Sequence, residues 1–160
     1  MSPADLLALL DDFYRETVDL FRERLINARS VSAYDANNGY QQVLGRQEVH
    51  LRWLSDAIAA LGGKDSDSSD EAGGKLPTPN AKALIERDAA SQNAFIARWT
   101  PAVAGVTNAR HRKMLELILG EMREHLRVLQ QAAESRSDLL GRHSDGKVLR
   151  GSVMAVRPRN

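Results

Sequence analysis

Four long stretches of the chain repeat apolar side chains every three or four positions, and nowhere do apolar and polar residues alternate as in a half-buried strand. That periodicity restricts the fold to packed helices, each laying one apolar stripe against its neighbours. The first stretch runs from Pro3 to about Val31. Ser2 stands at its N-cap, Pro3 at the first helical position and Asp5 in the first turn, where the helix dipole favours an anion. Its stripe is Leu6, Leu9, Leu10, Phe13, Leu20, Phe21 and Leu25. Val31 to Gly39 reads as a turn, with Ser32 as an early alternative cap for the second helix. That helix carries Tyr40, Leu44, Leu51, Leu54, Ile58 and Leu61 and stops at Gly62-Gly63, which supplies a left-handed residue.

Lys64 to Lys75 is polar, glycine-rich and without period, so it is a loop, and extended it can run the length of a helix bundle. Its acidic run is not a calcium loop, because the sixth position is Asp70 instead of glycine and the twelfth is Leu76. Thr78 and Pro79 restart the chain as N-cap and first helical residue. The third helix carries Leu84, Ile85, Phe95, Ile96, Trp99 and Val103, with Pro101 expected to bend or end it near Gly105. Thr107 is the expected cap of the fourth, which carries Met114, Leu117, Ile118, Val128 and Leu129 and fades around Ser135 to Ser137. The expected fold is all-α, an antiparallel four-helix bundle over residues 1–137 with a long crossover between helices 2 and 3, from about Gly62 to Pro77. A basic, largely irregular tail follows over 138–160.

Composition removes whole chemistries. The absence of cysteine excludes disulfides, thiolate zinc sites, iron–sulfur clusters and thiol nucleophiles, and suits a reducing compartment. Lysine and arginine number 22 against 21 acidic residues, so no global field recruits nucleic acid. There is no glycine-rich phosphate loop and no Gly-x-Ser-x-Gly elbow. No apolar run is long enough to span a membrane, and Met1 to Asp5 lacks the basic start of a signal peptide, so a cytoplasmic location is expected. Trp53 and Trp99 read as core or interface anchors, and the expected assembly is a homo-oligomer, a dimer, with neither nucleic acid nor membrane as partner.

Polar residues interrupt every stripe near its middle. Glu16 falls between Phe13 and Leu20, Gln47 falls between Leu44 and Leu51 with His50 one position beside Leu51, Asp88 and Gln92 precede Phe95, and Glu121 and His125 follow Ile118. Each set lies at a comparable distance from its hairpin turn, so antiparallel packing brings all of them to one height. A lone buried carboxylate is several kcal/mol unfavourable, so these groups need one another, a cation or water. Glu48 and Glu124, one step off the seam, read as solvated faces; His111 and His143 read as surface and tail residues.

This layout resembles the ferritin-like superfamily, whose bacterioferritin- and rubrerythrin-type members hold two irons between four helices. Their pattern is one Glu from each of two helices and a Glu-x-x-His from each of the other two. Glu16 matches the first Glu, and Gln47 to His50 keeps the spacing with Gln47 in the Glu place. Asp88 is the nearest acid on the third helix, and Glu121 and His125 are spaced by four. The resemblance implies iron or manganese held by Glu16, His50, Asp88, Glu121 and His125, with Gln47 and Gln92 as weak or supporting ligands. Fewer carboxylates imply one ion instead of two, and oxidation by dioxygen or peroxide where the bundle is catalytic, its small-molecule substrate left open. The alternative is a metal-free bundle whose polar layer fixes helix register while the molecule serves as a scaffold or protein-binding module.

Overall fold

Helix α1 spans Pro3–Ala28 and begins with a reciprocal cap: the Ser2 hydroxyl accepts from the Asp5 backbone N–H at 3.1 Å, and the Asp5 carboxylate accepts from the Ser2 N–H at 3.0 Å. These bonds hold the Asp5 carboxyl below its ordinary range. Helices α2 (Tyr34–Ala60), α3 (Ala81–Ala104) and α4 (Ala109–Ala133) complete an all-helical four-helix bundle. The computed structural model describes residues 1–64, 80–136 and 139, and among these there is no strand. Most of the expected crossover, including Thr78 and Pro79, and all of the tail except Leu139 lie outside the described residues.

The helix ends differ from expectation in instructive ways. α2 begins at Tyr34, several residues before Tyr40, with no side-chain cap at Ala33. Asn37 covers the junction instead, its amide donating to the Val31 carbonyl at 3.0 Å. α2 ends as expected, with Gly62 at φ +79° and the Gly63 N–H reaching back to the Ile58 carbonyl at 3.0 Å. Asn80 caps α3, and Pro101 sits inside its last turn, with the helix continuing to Ala104. For α4 the cap is Asn108, one residue past Thr107, its side chain accepting from the His111 N–H at 3.1 Å. Asn108→Ala should therefore lower stability by about 1 kcal/mol, while Thr107→Ala should change it by less than about 0.5 kcal/mol, as read by urea unfolding. A larger loss at Thr107 would reverse the assignment.

Each helix packs on two others: α1 on α2 and α3, and α4 on α2 and α3. The interior divides into two apolar clusters. One gathers Leu10, Phe13, Leu54, Ile58, Phe95, Trp99, Leu115 and Ile118, with Phe13 edge-on to Phe95 and Trp99 at ring separations of 5.0 and 4.9 Å. The other gathers Ala28, Val31, Tyr40, Leu44, Ile85, Leu129 and Leu139. Every helix carries buried polar residues between or beside the two clusters: Thr17, Arg24 and Asn27 on α1, Gln47 and His50 on α2, Asp88 and Gln92 on α3, and His125 on α4. Leu139, placed by sequence in the tail, is buried in the second cluster.

No helix among the described residues is long and apolar enough to cross a membrane.

Candidate functional site

The polar layer is buried more completely than a functional surface would be. Gln47, His50 and Gln92 have no exposed surface, and Arg24, Asn27 and Asp88 are each 1 % exposed. Arginine and aspartate are almost never so buried unless they are paired, so each group's partners decide what the layer is.

On the side nearer the second cluster, Asp88 is the acceptor. The Asn27 amide donates to one carboxylate oxygen at 2.7 Å and the Tyr40 hydroxyl donates to the other at 2.5 Å. Burial raises the Asp88 pKa, and the two hydrogen bonds and the Arg24 charge oppose that rise. Burial, together with the Asp88 charge, raises the Tyr40 pKa and keeps its phenol protonated as a donor. One turn further along α3, Gln92 joins three helices. Its carbonyl oxygen accepts from an Arg24 terminal nitrogen, and its amide donates to the Met122 carbonyl at 2.8 Å. Desolvation pulls the Arg24 pKa down to about 10, with Asp88 the largest opposing charge.

The two histidines stack between α2 and α4 with ring centres 5.9 Å apart. His50 Nε2 lies 2.8 Å from Glu121 Oε2. Glu121 also accepts from Arg46 at 2.9 and 2.6 Å, and that bond above all keeps its pKa low. An ionised carboxylate only accepts, so His50 carries its proton on Nε2 and its Nδ1 presents a lone pair. Burial lowers the His50 pKa; it also pulls His125 down to about 4, helped by the charges of His50 and Arg24. Both rings are therefore neutral near pH 7.

Of the residues expected to converge, Gln47, His50, Asp88, Gln92 and His125 lie in the layer, and Glu121 closes its edge. Glu16 does not join them. It sits on the α1–α3 side, at the rim of a groove with Phe95 and Leu20, where Arg98 and the Trp99 indole donate to its two oxygens, the latter at 2.6 Å. The seam passes through Thr17 instead, because the step after Phe13 is four residues, and continuing from Thr17 reaches Arg24 and Asn27. The same one-residue offset on α4 places Leu115 and Met122 inside and leaves Leu117 half exposed. Arg24, Asn27 and Arg46 were not among the expected residues, and Tyr40 was read for its ring without its hydroxyl. Glu48 and Glu124 are exposed as expected, whereas His111 is buried and not a surface residue.

The carboxylates do not fit a resident iron or manganese ion. Every oxygen of Glu16, Asp88 and Glu121 already accepts from a side-chain donor of the protein. Among the described residues no three His, Asp or Glu side chains group as a cation site requires. No protein-family model matches this chain, and neither a curated protein nor a solved structure matches it.

Proposed function

We propose that the chain is a metal-free four-helix bundle of ferritin-like arrangement, serving as a scaffold or protein-binding module whose polar layer fixes which helix faces meet. The observation that carries this is that each of the six carboxylate oxygens of Glu16, Asp88 and Glu121 already accepts from an arginine, tryptophan, tyrosine, asparagine or histidine donor. A polar network of this kind specifies register, because a slipped helix leaves buried donors and acceptors unmatched.

The arrangement itself is supported by which residues meet. Asn27, Arg24 and Glu16 of α1 meet Asp88, Gln92 and Arg98 of α3, so numbers fall on one helix as they rise on the other. Gly39 and Arg46 of α2 face Val128 and Glu121 of α4 in the same opposed sense. With short turns closing both hairpins, neighbours run antiparallel while α2 and α3 lie on the diagonal, which requires a connection along the bundle. A cytoplasmic homodimer belongs to the same reading, with Leu25, Tyr34 and Leu117 as exposed apolar side chains for a second copy to cover.

The metal-binding reading, iron or manganese with oxidative chemistry, keeps one observation in its favour: His50 and His125 stack with both Nδ1 atoms lacking partners. Thermal melts separate the two. After chelator stripping, excess Fe(II) or Mn(II) should leave the melting temperature unchanged, since only a ligand bound by the native state raises it. Glu121→Ala should instead lower stability by about 1 kcal/mol, by removing the acceptor from Arg46 and His50 at a partly exposed site. A saturable rise with either metal, abolished in Glu16→Ala, Glu121→Ala, would establish the metal reading instead.

A further inference from the structure

With each carboxylate oxygen already accepting, the unpartnered atoms of the layer include the Nε and Nη1 donors of a buried cation, Arg24, and the amide donor of Gln47. Arg24 Nε and Nη1, both polar atoms of Gln47, and Nδ1 of His50 and of His125 are buried without a hydrogen-bond partner. We propose that this interior holds a small oxyanion, a carboxylate or a phosphate, bound by Arg24 and Gln47 beside the His50–His125 pair. The inference rests on the metal-free reading and assigns that bundle a ligand.

Arg24 decides the chemistry. Its charge is fully inside the protein, yet its one hydrogen bond in the layer goes to the neutral carbonyl of Gln92, because Asp88 spends its two oxygens on Asn27 and Tyr40. Asp88 offsets that charge only in part, since desolvation still lowers the Arg24 pKa to about 10. Water satisfies spare N–H groups without adding negative charge, and a cation adds repulsion. An anion with acceptor oxygens answers both. The remaining groups belong to the same polar layer. Gln47 is one turn before His50, both wholly buried on α2, and Gln92 ties Arg24 to the backbone one turn before His125. Four helices thus supply the site, which is why no short motif announces it.

Occupancy should also be linked to protons. The groups around the histidine pair are Arg24 from α1, Arg46 from α2, Gln92 from α3 and Glu121 from α4. Burial above all disfavours imidazolium in both rings; the Arg24 field adds to that at His125, whereas Glu121 favours imidazolium at His50. An anion beside the pair favours imidazolium, so binding should take up protons and tighten as pH falls below about 6.5, the ordinary imidazole value.

The test uses the full chain in sodium acetate and in sodium phosphate against sodium chloride at matched ionic strength. Saturating acetate or phosphate should raise the melting temperature by about 5 °C. It should also move the His50 and His125 ring resonances, assigned with His111→Gln and His143→Gln. Arg24→Lys should keep part of the response and Arg24→Gln should lose it. Should these variants not fold, the wild-type melts and ring resonances decide alone. Equal melts in all three salts with unmoved ring resonances overturn the proposal and leave ordered water in the site; so does a full response in Arg24→Gln. Flat responses to anions and to metal together overturn this inference only, whereas a rise with Fe(II) or Mn(II) overturns the reading beneath it.

Discussion

Asp88→Ala is expected to lower stability by about 3–5 kcal/mol, among the largest single losses available outside the aromatic core. The substitution removes few atoms and opens little volume. Its cost lies in what stays behind. The Tyr40 hydroxyl and the Asn27 amide lose their acceptor inside the protein, and Arg24 loses the nearest negative charge while remaining 1 % exposed. A cavity explanation would put the cost at roughly 1 kcal/mol for so few atoms, so the size of the loss discriminates the two. For a chain of this length, each kcal/mol moves the melting temperature by about 2–4 °C, giving a drop on the order of 10 °C. Urea unfolding supplies the free energy directly. The companion variant Arg24→Met, Asp88→Leu removes both charges and should cost clearly less than the sum of the single changes. Additive losses would mean that Arg24 and Asp88 are independent, and the electrostatic account of the layer would fail.

The helices were legible in the sequence because each apolar stripe repeats many times, so one ambiguous position does not change the element. The polar layer was legible for a related reason: Gln47, His50, Asp88, Gln92 and His125 each interrupt a stripe that has apolar residues on both sides. What could not be read was which neighbour each polar group meets. At Phe13 the sequence permits a step of three to Glu16 or four to Thr17, and only packing against α2 and α3 decides it. That single choice hid Arg24 and Asn27, and it placed Glu16 in a layer that it does not join. Charge misled in the same direction, since an arginine in a stripe reads as solvated surface until a buried acceptor is placed beside it. Arg46 is the opposite case: it is exposed enough to be ordinary, and its importance comes only from the Glu121 carboxylate it occupies.

Stability should fall steeply with mild acid, and His125 should account for much of the fall. Its folded pKa is about 4 against 6.5 for an unperturbed imidazole, so between those values the unfolded chain binds more protons than the native one. The stability this residue contributes is full above about pH 6.5 and is lost as pH falls towards 4, amounting to about 3 kcal/mol at 1.36 kcal/mol per unit. His50 shifts in the same direction and adds to the loss. Glu121, whose pKa is depressed by Arg46, adds a further loss below its unfolded value. Asp88 works against them: its raised pKa means that the native state takes up a proton more readily, so its contribution becomes more favourable as pH falls. His111 and Asp5 also shift down, so Asp88 stands alone against five groups and the net slope is downward. His125→Phe keeps an aromatic ring against His50 and removes the titration. Urea midpoints measured at about pH 7.5, 6, 5 and 4.5 should fall in the wild type and flatten markedly in the variant over the upper part of that range. Parallel curves for the two proteins would show that His125 titrates normally, and the packing that makes it neutral would have to be abandoned.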